Sequence, residues 1–237
     1  MPRILFTGAV CSIVLATALP AGAVETSAGA TGAIVGHIRY LGSRTVPALR
    51  VPADSVKACG KTQPSPALMV GKDKALANAV VSLTGVRGAA PPAPIEVSIT
   101  QESCRFDPHV AAVPVGSRLT FVNTDLCLHN VHLLSGGATI ANIGMPLQGQ
   151  KSRLPVSVLA KPGNVRFKCD VHAWMDGYVY VFDHPYYAVT DGAGAFRIAG
   201  VPPGTYDVQV QHEILGGSAR KVTVAAGADT NLDVDLK

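Results

Sequence analysis

The stretch Asn164-Val-Arg-Phe-Lys-Cys-Asp-Val-His-Ala-Trp-Met-Asp-Gly-Tyr-Val-Tyr-Val-Phe182 contains two alternating apolar runs joined by a short loop. The runs fit half-buried strands, because successive side chains of a strand point to opposite faces of a sheet. In the loop, Cys169, His172 and Met175 stand three residues apart. A thiolate, an imidazole and a thioether are ligands that suit copper. The stretch therefore predicts two adjacent strands with a metal-binding loop between them.

A second histidine is needed to complete such a site. Copper electron-transfer centres hold the metal with two His and one Cys in a plane and with a long, weak axial Met. The best candidate is His129, which ends the run Phe121-Val-Asn-Thr-Asp-Leu-Cys-Leu-His129 and would come from a separate strand. Asn130 follows it and is well placed to hydrogen-bond the ligand loop. The predicted metal ligands are His129, Cys169, His172 and Met175.

Short strand-like runs recur along the rest of the chain. They are rich in β-branched residues and are separated by turns that use many of the 24 Gly and 17 Pro residues. No helix of useful length shows a 3.6-residue period after residue 23. We therefore predict an all-β protein of at least two sandwich-like units, with linkers at 24–32 and 88–94. The predicted strands are 33–40, 79–83, 95–99, 118–122, 164–168, 177–182, 205–213, 221–224 and 231–236.

Residues 95–182 resemble the cupredoxin family of small blue-copper proteins, and the gap between His172 and Met175 is most similar to that of amicyanin. The resemblance implies a Greek-key β-sandwich, one type 1 copper ion on the four predicted ligands, and single-electron transfer with a partner redox protein. It also implies that His172 lies near the surface and passes the electron. The supporting motifs are Phe106-Asp-Pro108, Val115-Gly116, Phe121-Val-Asn123 with Asp125, His129-Asn-Val131, and Cys169-x-x-His172-x-x-Met175.

The last part of the chain resembles a carboxypeptidase-regulatory, or transthyretin-like, β-sandwich. Some exported bacterial proteins described as methylamine-utilisation-like append such a unit to a copper domain. We therefore expect four parts: 1–23, a signal peptide; 24–94, an N-terminal β module with linkers; 95–184, the cupredoxin-like domain; and 185–237, the smaller sandwich. The motifs that carry this second resemblance are Pro185-Tyr-Tyr-Ala-Val-Thr-Asp191, Gly194-x-Phe196 and Val201-Pro-Pro-Gly-Thr-Tyr206.

The first 23 residues have the pattern of a signal peptide. Arg3 precedes an apolar run over 4–19, and Ala21-Gly-Ala23 fits the small-x-small rule for cleavage. We expect cleavage after Ala23, with an uncleaved anchor as the alternative, and no membrane span in the mature chain. The expected location is a bacterial periplasm, a compartment that permits disulfide bonds.

Four cysteines follow the predicted cleavage site. If Cys169 binds metal, the other three can form at most one disulfide, and spacing alone does not fix which. We favour Cys59 with Cys104, which leaves Cys127 as an unpaired thiol two residues before His129.

Cys127 and His132 are not part of the plain cupredoxin pattern. Their presence allows an alternative in which the metal site differs from that of the family. His132 stands three residues after His129, so strand alternation sends its side chain to the opposite face. Trp174, beside Met175, either shields the metal, serves as a docking aromatic or simply packs under the loop.

No catalytic constellation is recognisable in the sequence. His212-Glu213 lacks the second His that a zinc-protease helix carries four residues on. No Cys-x-x-Cys-His haem motif occurs, and the repeated His-x-His pairs of multicopper oxidases are absent. The net charge of +4 is scattered and includes no basic run with interleaved aromatics. We therefore expect neither an enzyme nor a nucleic-acid-binding protein.

Two other functions compete with electron transfer. In a copper storage or delivery protein, Cys127 and His132 would add thiol and imidazole capacity to the same centre. In a cell-envelope interaction module, the C-terminal sandwich would bind the partner and the metal would be structural. Zinc suits Cys and His ligands, but it prefers a thiolate or a hard donor to a thioether as its fourth ligand.

Overall fold

The structure is a computed structural model that describes residues 30–86 and 88–237. The predicted signal peptide and residues 24–29 of the predicted linker lie outside these residues. The described residues form nineteen strands, one short helix, α1 (Val56–Cys59), and two 3₁₀ turns, Lys72–Lys74 and Val156–Leu159. The all-β prediction is therefore confirmed. No helix in this part of the chain is long and apolar enough to cross a membrane.

The strands are distributed along the whole described chain. The first ten are β1 (Gly32–Tyr40), β2 (Leu49–Arg50), β3 (Thr62–Gln63), β4 (Val80–Thr84), β5 (Glu96–Glu102), β6 (Arg105–Asp107), β7 (Val110–Pro114), β8 (Arg118–Asn123), β9 (His129–Ser135) and β10 (Ala138–Met145). The other nine are β11 (Lys151–Arg153), β12 (Gly163–Lys168), β13 (Asp176–Phe182), β14 (Tyr187–Val189), β15 (Ala195–Val201), β16 (Gly204–His212), β17 (Gly216–Val224), β18 (Asp229–Asn231) and β19 (Val234–Leu236).

The middle of the chain forms one sandwich of two sheets. One sheet has the strand order β10-β9-β12-β13-β7, and the other has the order β11-β8-β5-β6. Between the sheets, the rings of Phe106, Phe121 and Phe167 meet edge to face with centroids 4.9 to 6.0 Å apart. Gly177 lies where β13 approaches this core most closely. A Cβ there would lie 2.4 Å from the carbonyl oxygen of His109 and from the ring of Phe167, so the position requires glycine.

Strands from both ends of the described chain build the other sandwich. β1 pairs with β15, β18 and β19, and β4 lies between β14 and β16, with β17 completing its sheet. The sequence had placed β1 and β4 in a separate N-terminal module. Both strands are buried along most of their length and need hydrogen-bonded neighbours on both sides, which strands of the C-terminal part supply. The middle sandwich is therefore inserted between β4 and β14 of a second sandwich.

Part of the segment between β1 and β4, residues 41–79, packs against the middle sandwich and not against the sandwich that contains β1 and β4. We call this segment the excursion. Val51 and Cys59 of the excursion are each 4% exposed and belong to the core of the middle sandwich. Cys59 is disulfide-bonded to Cys104, in the turn between β5 and β6. The expected pairing is thus confirmed, and Cys127 and Cys169 are the free thiols among the described residues.

An ion pair and an aromatic stack join the two sandwiches. Nε2 of His109 bonds to the carboxylate of Glu213, and both side chains are 5% exposed. The rings of Phe182 and Tyr187 stack at a centroid distance of 4.5 Å, where the chain passes from one sandwich to the other. A buried ion pair and a half-buried aromatic stack therefore link the two units.

Candidate metal centre

Three donor atoms meet at one end of the middle sandwich. Nδ1 of His129 lies 2.9 Å from Nδ1 of His172, and Sγ of Cys169 lies 3.9 Å from each of these nitrogens. In protein sites the bonds from zinc to nitrogen and sulfur are about 2.0 to 2.3 Å long, so donors around one such ion lie roughly 3 to 4 Å apart. The two nitrogens and the sulfur therefore fit a single first-row metal ion.

Backbone hydrogen bonds close the ligand loop between β12 and β13. The amide of Cys169 donates to the carbonyl oxygen of Met175 at 2.9 Å, and the amide of Met175 donates to that of His172 at 2.8 Å. The loop is therefore a tight turn that directs Cys169 and His172 inward. His129 enters from β9, in the same sheet as β12. These three side chains are at most 2% exposed.

Met175 lies on the same loop with its side chain 1% exposed and packed in the core that contains Cys169. The structure therefore brings three of the four predicted ligands together through their donor atoms. It places Met175 in the same buried loop, and its role as the weak axial ligand stays a prediction.

The charges of the site favour a thiolate. Burial alone would raise the pKa of the Cys169 thiol. The hydrogen bonds with His129 and His172 outweigh this effect and bring the pKa down to about 6. Cys169 is therefore mostly ionised at neutral pH, which is the form that binds metals. Burial lowers the pKa of His129, whereas its hydrogen bonds with Asp125 and Cys169 raise it, and the net pKa lies above its usual value. Metal binding at Nδ1 would displace the proton that the charged imidazole carries on that nitrogen.

Asp125 fixes the orientation of His129. Its Oδ2 lies 2.9 Å from Nε2 of His129, so Nε2 carries the proton and the lone pair of Nδ1 faces the other donors. The amides of Ser103 and Cys104 also donate to this carboxylate, at 2.7 and 2.8 Å. Burial alone would raise the pKa of Asp125, but these hydrogen bonds outweigh burial, so the net pKa lies below its usual value. The sequence placed Asp125 only in a family motif, and no local pattern there indicated its contact with His129.

Asn130 holds the ligand loop, as predicted. Its Oδ1 accepts the amide of Asp170 at 2.6 Å, and its Nδ2 donates to the Asp170 carboxylate at 2.9 Å. His132 contacts the same carboxylate through Nδ1 at 2.9 Å and Thr139 through Nε2 at 2.7 Å. Both ring nitrogens of His132 are therefore engaged on the outer face, as strand alternation predicted, and the residue does not join the three donors.

The resemblance implied a surface position for His172, and the structure corrects this expectation. His172 is 2% exposed, and the ring of Trp174 lies beside it with a centroid distance of 5.1 Å. Nε1 of Trp174 donates to the carbonyl oxygen of Cys104 at 3.1 Å. This hydrogen bond anchors Trp174 next to the imidazole, which explains why His172 is shielded from water.

Cys127 is close to the centre but is not one of the three converging donors. Its Sγ lies 3.4 Å from Nε2 of His129, on the side opposite the donor nitrogen, and 3.9 Å from Sγ of Cys104. Burial, followed by the charges of Asp125 and Cys169, raises the pKa of the Cys127 thiol. The sequence indicated that Cys127 is near His129, but not its contact with the disulfide.

The C-terminal part matches one family model. Residues 177–237 match the carboxypeptidase regulatory-like domain, which confirms the expected resemblance of this part of the chain. Among curated proteins, none matches this chain.

Several solved structures of copper proteins align with part of the chain at low TM-scores. The copper-containing nitrite reductase of Thermus scotoductus SA-01 is 24% identical, with a TM-score of 0.32, over 42% of this chain and 25% of its own. A purple cupredoxin from Nitrosopumilus maritimus is 22% identical, with a TM-score of 0.31, over 36% of this chain and 99% of its own. A Cu(I) amicyanin variant is 22% identical, with a TM-score of 0.33, over 37% of this chain and 82% of its own. This chain thus spans a quarter of the nitrite reductase, and these similarities do not assign it to a family.

Proposed function

We propose that the protein binds one type 1 copper ion and passes single electrons to or from a partner redox protein. The observation that carries the proposal is the convergence of two imidazole Nδ1 atoms and one thiolate in a buried site. We infer that Met175, on the same loop, completes the set as a weak axial ligand. When bound, copper supplies a centre that gains or loses one electron.

The residues around the site favour rapid electron transfer. The backbone hydrogen bonds of the ligand loop and the contact between Asp125 and His129 hold the donors in place before metal binds. A donor set that is fixed in this way suits both oxidation states without large rearrangement. The donors are almost completely buried, which leaves little room for water or substrate to coordinate. An electron carrier therefore fits the site better than a metalloenzyme with an open coordination position.

We place the contact with the redox partner on the two loops that carry the ligands. Leu126 is 87% exposed, and Leu128 and Val171 are each 49% exposed. These apolar side chains are sequence neighbours of Cys127, His129 and His172. An exposed apolar surface of this kind is typical of protein interaction sites. Because His172 is covered, we propose that electrons enter through Trp174 and the surrounding apolar side chains.

We assign this function to the periplasm. The signal-peptide pattern of residues 1–23 supports export, and the disulfide between Cys59 and Cys104 suits an oxidising compartment.

Copper loading of the mature protein tests the proposal. We expect an intense thiolate-to-copper absorption in the visible range, narrow hyperfine splitting in the EPR spectrum and a reversible potential. Cys169→Ser and His129→Ala should abolish the absorption, whereas His37→Ala, a change at a largely exposed histidine of the other sandwich, should retain it. A copper-loaded wild-type protein without these spectra would show that the proposal is wrong.

The copper stoichiometry and potential, together with a separate measurement of partner binding, distinguish the competing functions. More than one copper per chain, or Cu(I) binding without a reversible potential, would indicate storage or delivery. Partner binding that is unaffected by Cys169→Ser would indicate an interaction module with a structural metal.

A further inference from the structure

Two carboxylates and one imidazole meet where the two sandwiches join. His109 lies between β6 and β7, Asp176 begins β13, and Glu213 opens the turn after β16. One donor atom from each of these three side chains, which we call the junction cluster, lies within 4.8 Å of the other two. The side chains of His109 and Glu213 are 5% exposed, and that of Asp176 is 21% exposed. The cluster is therefore nearly closed, and Asp176 is its side towards solvent.

The hydrogen bonds of His109 direct one ring nitrogen into the junction cluster. Nδ1 lies 2.8 Å from the backbone carbonyl oxygen of Asp176. Because a carbonyl oxygen only accepts hydrogen bonds, Nδ1 carries a proton. The other nitrogen, Nε2, contacts the carboxylate of Glu213. An imidazole lone pair and a carboxylate oxygen are both electron-pair donors, so their contact requires a cation between them, either a proton or a metal ion.

We propose that the junction cluster is a second metal site, which binds one divalent first-row ion such as Zn²⁺ in place of that proton. The ligands are Nε2 of His109 and one carboxylate oxygen each from Asp176 and Glu213. Imidazole nitrogen and carboxylate oxygen are both common zinc ligands, with bonds of about 2.0 to 2.2 Å. The bond between Nδ1 and the backbone fixes the orientation of the ligating ring, as is usual for a metal-binding histidine. The inference does not depend on copper binding at the metal centre.

The carboxylate of Asp176 is already held in place. Nη2 of Arg166 donates to its Oδ2 at 2.9 Å, which uses one oxygen and leaves the second to the ion. The positive charge of Arg166 opposes a divalent ion, but this side chain is 47% exposed and is screened by solvent. The two carboxylates of the cluster offset the charge of the ion.

An ion in the junction cluster would connect the two sandwiches. His109 and Asp176 belong to the middle sandwich, whereas Glu213 belongs to the other. These ligands come from segments that are far apart in the sequence, so the unfolded chain does not present them together. An ion that binds the folded state alone stabilises it. The role of this second site is therefore a clamp between the sandwiches.

Zinc titration of a mature protein that lacks donors of the metal centre tests this inference. The triple variant Cys127→Ser, His129→Ala and Cys169→Ser removes both free thiols of the described residues, and circular dichroism reports whether it is folded. We expect calorimetry to give one Zn²⁺ per chain, and Zn²⁺ to raise the unfolding temperature. Added Glu213→Gln should lower the affinity at least about tenfold, since loss of an outer partner alone costs about 10- to 100-fold. Added Asp54→Asn, at an exposed carboxylate, should not change it.

A folded triple variant that binds no Zn²⁺, or that binds it equally well after Glu213→Gln, would overturn the inference. Zinc-soaked crystals of the wild type provide a second measurement that needs no variant. Anomalous scattering at the zinc edge should place an ion between Nε2 of His109 and the carboxylates of Asp176 and Glu213. A zinc peak at the metal centre without one at the junction cluster would also show that the inference is wrong.

Discussion

At the scale of single residues, the centre depends on groups that do not themselves meet a metal. Asp125 sets the tautomer of His129, and Asn130 ties Asp170, the residue after Cys169, to β9. Each of these contacts restricts the rotation of a donor-bearing segment. The three donors are therefore aligned by hydrogen bonds among the protein's own residues.

Replacement of Asp125 tests this alignment. In Asp125→Asn the acceptor of the His129 Nε2 proton loses its charge, and the imidazole is less firmly fixed. We expect the copper affinity to fall about 10- to 100-fold, as is typical when the partner of a ligating histidine is changed. Competition with a copper chelator measures the change. Asp54→Asn, at an exposed carboxylate of the excursion, should leave the affinity unchanged, and an equal affinity in both variants would contradict the orienting role.

The ligands were predictable from sequence, whereas their supporting residues were not. Cys169, His172 and Met175 lie on one loop, so their spacing alone brings them close together. The contact of Asp125 with His129, and that of Cys127 with the disulfide, depend on how separate loops pack. No sequence period encodes such packing.

At the scale of the elements, the alternation of apolar residues predicts where the strands lie but not which strands pair with each other. β12, β13 and β16 appear within one residue of their predicted bounds. The predicted strand at 231–236 is divided into β18 and β19 around Leu232. At this point the backbone of Leu232 lies so close to β1 that a Cβ at Gly36 would be 2.0 Å from the Leu232 carbonyl oxygen. Alternation reports which face of a strand is buried, whereas pairing between β1 and β19 depends on contacts across most of the chain.

The insertion of the middle sandwich leads to a prediction about fragments. Residues 177–237 match a domain family, but β1 and β4 supply central strands of that sandwich. Without them, buried residues such as Val208 and Val210 lose the apolar neighbours Ile34 and Val81. We therefore expect residues 177–237 alone to lack a cooperative unfolding transition, as followed by circular dichroism.

A matched two-segment chain serves as the control for that prediction. Residues 30–86 joined by a flexible linker to 185–237 contain the complete strand set of the second sandwich and should unfold cooperatively. Cooperative unfolding of 177–237 alone would show that β1 and β4 are dispensable.

At the scale of the whole molecule, buried charges link the two sandwiches. Burial lowers the pKa of His109, but the hydrogen bond and charge of Glu213, together with Asp176, raise it by more, so the net pKa lies above its usual value. His212 of β16 is also buried, and its pKa is lowered to about 4, first by burial and then by the charge of His109. The pKa values of these two buried histidines are therefore shifted in opposite directions.

His212 makes stability depend on pH. An unfolded chain binds a proton on this histidine below about pH 6.5, whereas the folded protein does so only below about pH 4. The contribution of His212 to the free energy of unfolding is therefore fully present above about pH 6.5. It is lost as the pH falls towards 4, by on the order of 3 kcal/mol in total. We expect His212→Gln to lose less stability than the wild type between pH 7 and pH 4.5.

Urea unfolding at the two pH values measures this difference. The wild type should lose about 2 kcal/mol more of its free energy of unfolding than His212→Gln. His37→Gln, at a largely exposed histidine, should follow the wild type. Equal losses in the wild type and His212→Gln would show that His212 does not titrate as the structure indicates.

The pairing of β1 with strands far along the chain also orders events during synthesis. The amide of His37 donates to Asp233 at 2.9 Å across 196 residues of sequence. The ribosome has made all strands of the middle sandwich by residue 182, but β1 has no strand partner until β15 emerges. Ile34 and Ile38, which are fully buried in the finished fold, lack their cross-strand partners Ile198 and Val234 during that interval. A chain that still lacks residues 183–236, on the ribosome or during export, presents an apolar strand edge to other chains.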